Sequence, residues 1–153
     1  MNIVNNFEMD KLTAIEEIRQ LKARYFRCLD NKDWTGLATC LTDDVSFRYP
    51  PGKISLEGKE ELIGNFSNRH ANTLTSHSGS MPEIKLKTAF EAEGIWSMTD
   101  LVVRTDVQGE QETTQGFGRY HETYQCLHDR WLIKSIMLER ILVITPQVKI
   151  LSI

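Results

Sequence analysis

Apolar residues in the first third of the chain recur every three or four positions, which is the period of an amphipathic helix. The run Thr13-Ala14-Ile15-Glu16 places a hydroxyl three residues before a carboxylate, the spacing of a helix-starting capping box. We therefore predict a helix from Thr13 to about Asp30, preceded by a loose arm over residues 1–12. The apolar stripe comprises Ile15, Ile18, Leu21, Tyr25, Phe26 and Leu29, and the predicted solvent-facing side comprises Arg19, Lys22, Arg24 and Arg27.

Two shorter helices are predicted in the next part of the chain. Asp33 can cap a helix over residues 34–41. The run over residues 58–66 has Leu62, Ile63 and Phe66 spaced to face inward.

The rest of the chain alternates apolar and polar residues, which is the period of a β-strand. A first strand contains Val45, Phe47 and Tyr49 and ends at Pro50-Pro51-Gly52. Later strands are predicted over residues 75–86, 89–107, 112–127 and 131–145, with Pro82 marking a bulge or an edge and Gln108-Gly109 marking a hairpin turn.

This order, helices first and antiparallel strands afterwards, indicates an α+β fold with the helices on one face of a sheet. Three helices cannot cover a long curled sheet evenly. We therefore expect a cone-shaped, curved antiparallel or mixed sheet that packs against the N-terminal helices and encloses a pocket. The domain is expected to span residues 13–145, followed by a C-terminal tail over 146–153. The opposite sheet face needs a partner, which favours a dimer.

Composition is that of an ordinary globular domain, with 153 residues, 41% hydrophobic and 25% charged residues, and a net charge of -3. This charge provides no basic surface for nucleic acid or for an anionic membrane. The N-terminus lacks a basic segment followed by an apolar stretch, so no signal peptide is predicted. Cys28, Cys40 and Cys126 stand alone, which favours a reducing cytoplasm over a disulfide framework or a zinc site.

Candidate chemistry begins at the end of the first predicted helix. A helix C-terminus carries partial negative charge, so Asp30 is unfavourable there unless another part of the fold holds it. Tyr25 lies five residues earlier, which places a phenol and a carboxylate near one end of one helix. By themselves, these residues favour a core tyrosine and a helix-ending aspartate in solvent.

Two later strands add a histidine and a second acid. His77 has small neighbours in the run Ser76-His77-Ser78-Gly79, which leave room around an imidazole that can transfer protons near neutral pH. Asp100 shares a strand face with Trp96 and Met98, and it is either buried and paired or at the exit into solvent. A structural or exposed role remains open for both residues.

The last two predicted strands contribute aromatic residues and an arginine. We assign Tyr120 and Tyr124 to the inner face, which leaves His121 outward. Arg140 interrupts an aliphatic strand, so it pairs with Asp100, binds a substrate anion or extends to water. The sequence has no phosphate-binding glycine loop, nucleophile elbow or paired metal ligands, which leaves metal-free acid–base chemistry by Tyr, Asp and His.

Five segments resemble the SnoaL-like proteins of the nuclear transport factor 2-like superfamily, and together they span most of residues 13–145. These segments are IRQLKARYFRCLDNKDW (18–34), TSHSGSMPEI (75–84), GIWSMTD (94–100), GFGRYHETY (116–124) and WLIKSIMLER (131–140). The resemblance implies a curved sheet with helices around a cone-shaped pocket, in a dimer or trimer. Because this fold carries many functions, membership alone does not assign an activity.

Within that superfamily, the pattern is most similar to the cofactor-free scytalone dehydratase and bile acid 7α-dehydratase group. Tyr25, Asp30 and His77 match the tyrosine, aspartate and histidine of the bile acid enzyme in order and approximate spacing. Asp100 and Arg140 correspond to its further acid and its late arginine. The resemblance therefore implies that Tyr25, Asp30 and His77 are catalytic and that no cofactor is used.

The resulting hypothesis is a dehydratase (a hydro-lyase) that eliminates water from a cyclic or polycyclic hydroxy-carbonyl compound. In it, His77 is the base, Asp30 orients His77, and Tyr25, alone or with Tyr49, stabilises the enolate. The expected pocket residues are Phe47, Tyr49, Trp96, Met98, Asp100, Tyr120 and Arg140. The alternatives are an isomerase or polyketide-cyclase-type enzyme, and a non-catalytic ligand-binding or assembly module. The expected partners are a small-molecule substrate and further copies of the chain in a homodimer or homotrimer, with no nucleic acid, membrane or metal.

Overall fold

Two helices open the chain, and a third helix follows the first pair of strands. The computed structural model describes residues 3–106, 108–145 and 148–150, with side chains described from residue 10 to residue 145 except at residue 107. The helices are α1 (Ile3–Asp30), α2 (Trp34–Ala38) and α3 (Lys59–Arg69). The strands are β1 (Leu41–Tyr49), β2 (Ile54–Glu57), β3 (Thr73–Leu86), β4 (Glu91–Thr105), β5 (Gln111–Leu127), β6 (Arg130–Ile144) and β7 (Val148–Ile150).

The strands form one curved, mixed sheet in the order β2-β1-β6-β5-β4-β3, with β7 paired to β6. β1 runs parallel to β6, whereas the other neighbouring strands are antiparallel. α1 packs against β3 and β6, and α3 packs against β1. The predicted α+β fold, a curved sheet packed against N-terminal helices, is confirmed.

The first helix begins at Ile3, ten residues before the predicted start at Thr13. The loose arm predicted for residues 1–12 is therefore wrong from residue 3 onward. The first 35 residues contain neither glycine nor proline, so no helix-breaking residue interrupts the backbone before Asp30. Thr13 lies inside the helix, and its capping-box pattern does not start one.

The predicted solvent-facing side of α1 is wrong at Lys22, whose side chain is only 1% exposed. Glu122 on β5 pairs with the ammonium group, and the rings of Tyr25, Phe26 and Tyr120 surround it at 4.0–4.5 Å. A counter-charge and aromatic faces of this kind offset the cost of burying a charge. Lys22 therefore lies in the core.

The two short helices agree with their predictions. Asp33 caps α2 by accepting a hydrogen bond from the backbone N–H of Gly36 at 2.8 Å. This helix ends three residues earlier than predicted because Leu41 already belongs to β1. α3 buries Leu62 and Phe66, as its spacing predicts. None of the helices in the described part of the chain is long and apolar enough to cross a bilayer.

The strand alternation agrees with the prediction on β3 and β4. The residues that β4 buries are Ala92, Gly94, Trp96, Met98 and Asp100. β3 is an edge strand, and its pairing with β4 shifts between Ser80 and Glu83, around the predicted bulge at Pro82. The inner face of the sheet is therefore set by period-two patterning.

The predicted C-terminal tail contains the last strand of the sheet. β7 pairs antiparallel with β6 in the register Leu142↔Ile150 and Ile144↔Val148. Residues 146, 147 and 151–153 of the predicted tail lie outside the described residues.

Candidate active site

A cavity of about 310 Å³ lies between α1, α3 and the helix-covered face of the sheet. About half of the residues in its wall are apolar or aromatic, and the rest are polar or charged. The polar and aromatic residues of the wall include Tyr25, Tyr49, His70, His77, Asp100, Tyr120 and Arg140, and the apolar ones include Leu29, Phe47, Phe66, Val102, Leu138 and Val143.

His77 and Asp30 form a hydrogen-bonded pair at this cavity. His77 Nδ1 lies 2.6 Å from Asp30 Oδ1, and the His77 side chain is only 7% exposed. An ionised carboxylate can only accept hydrogen bonds, so Nδ1–H is the donor and Nε2 of the neutral ring keeps its lone pair. Because His77 lines the cavity, this second nitrogen is available to a ligand.

The Asp30 carboxylate is held by β3. Its Oδ2 accepts from the backbone N–H of His77 at 2.9 Å, and its Oδ1 accepts from the Thr75 hydroxyl at 2.8 Å. Burial by itself would raise the pKa of Asp30, but the hydrogen bonds from His77 and Thr75 outweigh burial and hold the pKa below its ordinary value. The acid that is unfavourable at a helix C-terminus is thus stabilised by another element, as the sequence requires.

A tight turn after α1 fixes the position of Asp30. Lys32 adopts a left-handed conformation (φ 59°), and the Asp33 N–H donates to the Cys28 carbonyl at 2.8 Å. These are features of a helix-terminating C-cap motif. Lys32 then donates from Nζ to the Thr75 hydroxyl at 2.8 Å, which links this turn to β3 beside the dyad.

Two buried tyrosines contribute to the cavity wall, Tyr25 from α1 and Tyr120 from β5. Burial raises the pKa of both phenols well above the ordinary value. Both therefore keep their protons and can donate hydrogen bonds to a ligand oxygen. Tyr49 lines the same cavity from β1, with the Arg140 guanidinium 5.8 Å from its ring centre.

Asp100 and Arg140 form a buried, bidentate ion pair in the wall. Arg140 Nη1 donates to Asp100 Oδ1 at 2.9 Å, and Nη2 donates to Oδ2. Burial would lower the pKa of Arg140, but its bonds to Asp100 raise it above the ordinary value. Of the alternatives that the sequence left open for these two residues, the structure shows the buried, mutual pair.

Space for this pair depends on Gly116, which lies opposite Asp100 in the register of β5 and β4. A side chain at Gly116 would overlap both Arg140 Nη1 and Asp100 Oδ1. A glycine inside a strand often marks a close approach of this kind, and this is the signal in the sequence that could have indicated Gly116.

His70 is a further cavity residue, and no pattern in the sequence points to a role for it. Its Nδ1 lies 2.9 Å from the Phe66 carbonyl oxygen, which can only accept, so Nε2 of the neutral ring keeps a lone pair. Burial lowers the pKa of His70 despite this hydrogen bond. The His70 and His77 ring centres are 6.2 Å apart, so a second imidazole lies beside the dyad.

A buried polar chain continues from Lys22 into the core. Glu122 pairs with Lys22 and accepts from the Tyr124 hydroxyl at 2.6 Å, and that hydroxyl accepts from the Trp96 indole N–H at 2.7 Å. Burial lowers the pKa of Lys22 below its ordinary value, although Glu122 acts in the opposite direction. Trp96 is held in this chain, away from the cavity wall.

The structure thus brings most of the predicted residues together. Those that line the cavity are Tyr25, Phe47, Tyr49, His77, Asp100, Tyr120 and Arg140. Asp30 lies directly behind His77. Trp96 and Met98, which were expected as pocket walls, are packed in the hydrophobic core and are not among the residues that line the cavity. Within the described residues, no group of three or more His, Cys, Asp or Glu side chains is arranged to hold a metal ion.

The fold is that of α+β proteins in which N-terminal helices and a curved sheet enclose a cavity. Residues 10–136 match the SnoaL-like domain, and the chain belongs to this family. The family resemblance seen in the sequence is therefore confirmed.

Individual relatives show the same likeness. The chain is 26% identical over 134 residues to a Gibberella zeae protein named “Probable cyclase FGR4”, covering 81% of this chain and 89% of that protein. A scytalone dehydratase-like protein of Novosphingobium aromaticivorans has a TM-score of 0.84 at 18% identity, covering 95% of both chains. A type 2 hexachlorocyclohexane dehydrochlorinase (LinA) has a TM-score of 0.80 at 18% identity, covering 90% of this chain and 92% of that one. At such identities, the two solved structures show a shared fold.

Proposed function

We propose that this protein is a cofactor-free dehydratase that eliminates water from a cyclic hydroxy-carbonyl compound. The observation that carries the proposal is the 2.6 Å hydrogen bond between His77 and Asp30, with the imidazole in the wall of the cavity. The phenols of Tyr25 and Tyr120 lie in the same wall. A base and hydrogen-bond donors around one cavity are the groups needed to form and stabilise an enolate.

The proposed reaction starts when His77 Nε2 removes the proton from the carbon next to the carbonyl. The C–H electron pair moves toward the carbonyl, and the enolate oxygen accepts a hydrogen bond from Tyr25. The carbonyl then re-forms as a carbon–carbon double bond is made and the bond to the β-hydroxyl breaks. The His77 imidazolium, stabilised meanwhile by Asp30, gives its proton to the departing hydroxyl, which leaves as water.

The relatives support this type of chemistry without selecting one reaction. Their names include a cyclase, a dehydratase and a dehydrochlorinase. Together with membership of the SnoaL-like family, these names favour a lyase or isomerase. The cavity of about 310 Å³ is at the lower end of the range for small-molecule sites, which favours a substrate with one or two enclosed rings.

The test is an assay of dehydration on a panel of cyclic β-hydroxy ketones, in which the absorbance of the enone product is monitored. His77→Ala is expected to lower kcat by at least about 10²-fold, because one general base contributes about 10²–10⁴-fold. Asp30→Asn is expected to lower kcat with little change in KM, because the Asp30 carboxylate does not contact the substrate and acts through His77. His121→Ala is the matched control, since that imidazole is half-buried and pairs with Glu139 at 2.8 Å outside the cavity. Wild-type turnover by both His77→Ala and Asp30→Asn would rule out this assignment.

An isomerase or a cyclase is the second candidate, because the same dyad can relocate a proton without loss of water. The “Probable cyclase FGR4” relative favours this alternative. Mass spectrometry of the product separates the two outcomes, since isomerisation and aldol cyclisation keep the substrate mass and dehydration removes one water. The 2.6 Å hydrogen bond between Asp30 and His77 favours an enzyme over a purely ligand-binding module, which needs no such pair.

A further inference from the structure

The cavity has two cationic side chains at its exposed edge, which we call the cavity mouth: Arg69 at the end of α3 and Arg104 on β4. Both line the cavity, and both are exposed. Neither forms an ion pair with any residue that the structure describes. Asp100 is the one carboxylate among the described lining residues, and Arg140 already neutralises it. The wall of the cavity therefore carries unbalanced positive charge.

The register of β3 and β4 relates the cavity mouth to the dyad. His77 lies opposite Asp100, and Thr73 lies opposite Arg104, four residues further along β4. Side chains four residues apart on a strand share a face, and Asp100, Val102 and Arg104 all line the cavity. At about 3.3 Å per residue, Arg104 is roughly 13 Å along the strand from the level of the dyad.

One acidic side chain is a strand neighbour of the cavity mouth. Glu112 is the cross-strand neighbour of Arg104, yet the two side chains form no ion pair. Lys32 also acts on His70 electrostatically, but its charge is offset by the nearby Asp30 carboxylate. Because the chain as a whole has a net charge of -3, this positive cluster does not follow from overall composition.

We propose that Arg69 and Arg104 bind an anionic group of the substrate, a carboxylate or a phosphate, at the cavity mouth. Guanidinium groups bind such oxyanions through charge-assisted, often bidentate hydrogen bonds. The substrate is then a hydroxy-carbonyl compound with an acidic side chain that extends from the reacting carbon toward the cavity mouth. The location of that carbon rests on the proposed function, whereas binding of the anion does not.

The test is equilibrium binding of naphthylbutanoate, its primary amide and naphthylpropyl phosphate, measured by isothermal titration calorimetry. We expect the wild-type protein to bind at least one of the two anions at least about tenfold more tightly than the amide. The anion that binds more tightly shows whether the site prefers a carboxylate or a phosphate. The preference should disappear in Arg69→Gln/Arg104→Gln and persist in Arg19→Gln, a control on the exposed side of α1. Added salt should reduce the preference in the wild type, because the cavity mouth is exposed and salt screens exposed charges.

Equal affinity for the anions and the amide would overturn the inference. So would an anion preference that survives in the double variant, or no binding of either anion at millimolar concentration. His77→Ala separates this inference from the proposed function, because it should keep the full anion preference. An anion preference that depends on the two arginines, in a protein that dehydrates nothing, would refute the dehydratase proposal and leave the anion site standing.

Discussion

Asp30 shows how one residue can connect a helix to the chemistry of a site. The end of α1 disfavours a carboxylate, yet three donor groups, the His77 ring, the His77 backbone and the Thr75 hydroxyl, converge on this one. The same contacts fix which nitrogen of His77 carries the proton. The carboxylate is therefore stabilised by β3 and, at the same time, orients the imidazole.

The low pKa of Asp30 predicts a pH-dependent stability. The folded-state pKa is below the ordinary value of 3.8, so the unfolded chain binds more protons in the acid range. The stabilisation by Asp30 should be complete above pH 4 and should be lost as the pH falls through the folded-state pKa. Urea unfolding at pH 5 and pH 3 should therefore show a smaller loss of stability for Asp30→Asn than for the wild type. Equal losses in the two proteins would show that Asp30 contributes nothing to this dependence.

Among the elements, β5 makes room for the paired charges of its neighbours. Gly116→Ala should lower the free energy of unfolding by about 1–3 kcal/mol, because the added methyl group overlaps the Asp100–Arg140 pair. The control is Gly64→Ala on α3, where an added Cβ meets nothing within 4 Å. This control should stabilise the helix by up to about 1 kcal/mol. Thermal and urea denaturation test both variants, and equal stability of Gly116→Ala and the wild type would contradict the crowding argument.

The contact between α1 and β5 depends on a buried ion pair. Lys22→Met should cost about 3–5 kcal/mol, because it leaves Glu122 buried without its counter-charge. The double variant Lys22→Met/Glu122→Gln should be more stable than Lys22→Met alone, because its core holds no unpaired charge. Urea denaturation of the two single variants and the double variant gives the coupling free energy. A double variant that is no more stable than Lys22→Met would argue against a buried charge on Glu122.

For the molecule as a whole, local patterns predicted the class of fold and much of the cavity wall. The alternation in β4 placed Asp100 on the inner face, and the unfavourable position of Asp30 required a partner. Both inferences depend on neighbours in sequence or on the end of one helix. The resemblance to the SnoaL-like family then related Tyr25, Asp30 and His77 to one site.

Three residues have positions that the sequence does not reveal, because those positions depend on contacts between distant parts of the chain. The spacing of Lys22 along α1 is compatible with the buried or the exposed side of the helix. The carboxylate that pairs with it in the core, that of Glu122, is 100 residues away in sequence. His70 reaches the cavity through the turn between α3 and β3, where no periodicity indicates which way a side chain points. Trp96 does lie on the predicted face, but its bond to Tyr124 holds it in the core.

The most direct test of the central claim, that His77 and Asp30 form a general base facing the cavity, is proton exchange on a cyclic ketone. The measurement is the rate at which the protein catalyses deuterium exchange at the α-carbon of tetralone in D₂O, monitored by proton NMR. We expect the wild type and His121→Ala to exchange at equal rates above the buffer rate, and His77→Ala to be slower by at least about 10²-fold. Exchange by His77→Ala at the wild-type rate, or no acceleration by the wild type, would contradict the assignment of His77 as the base.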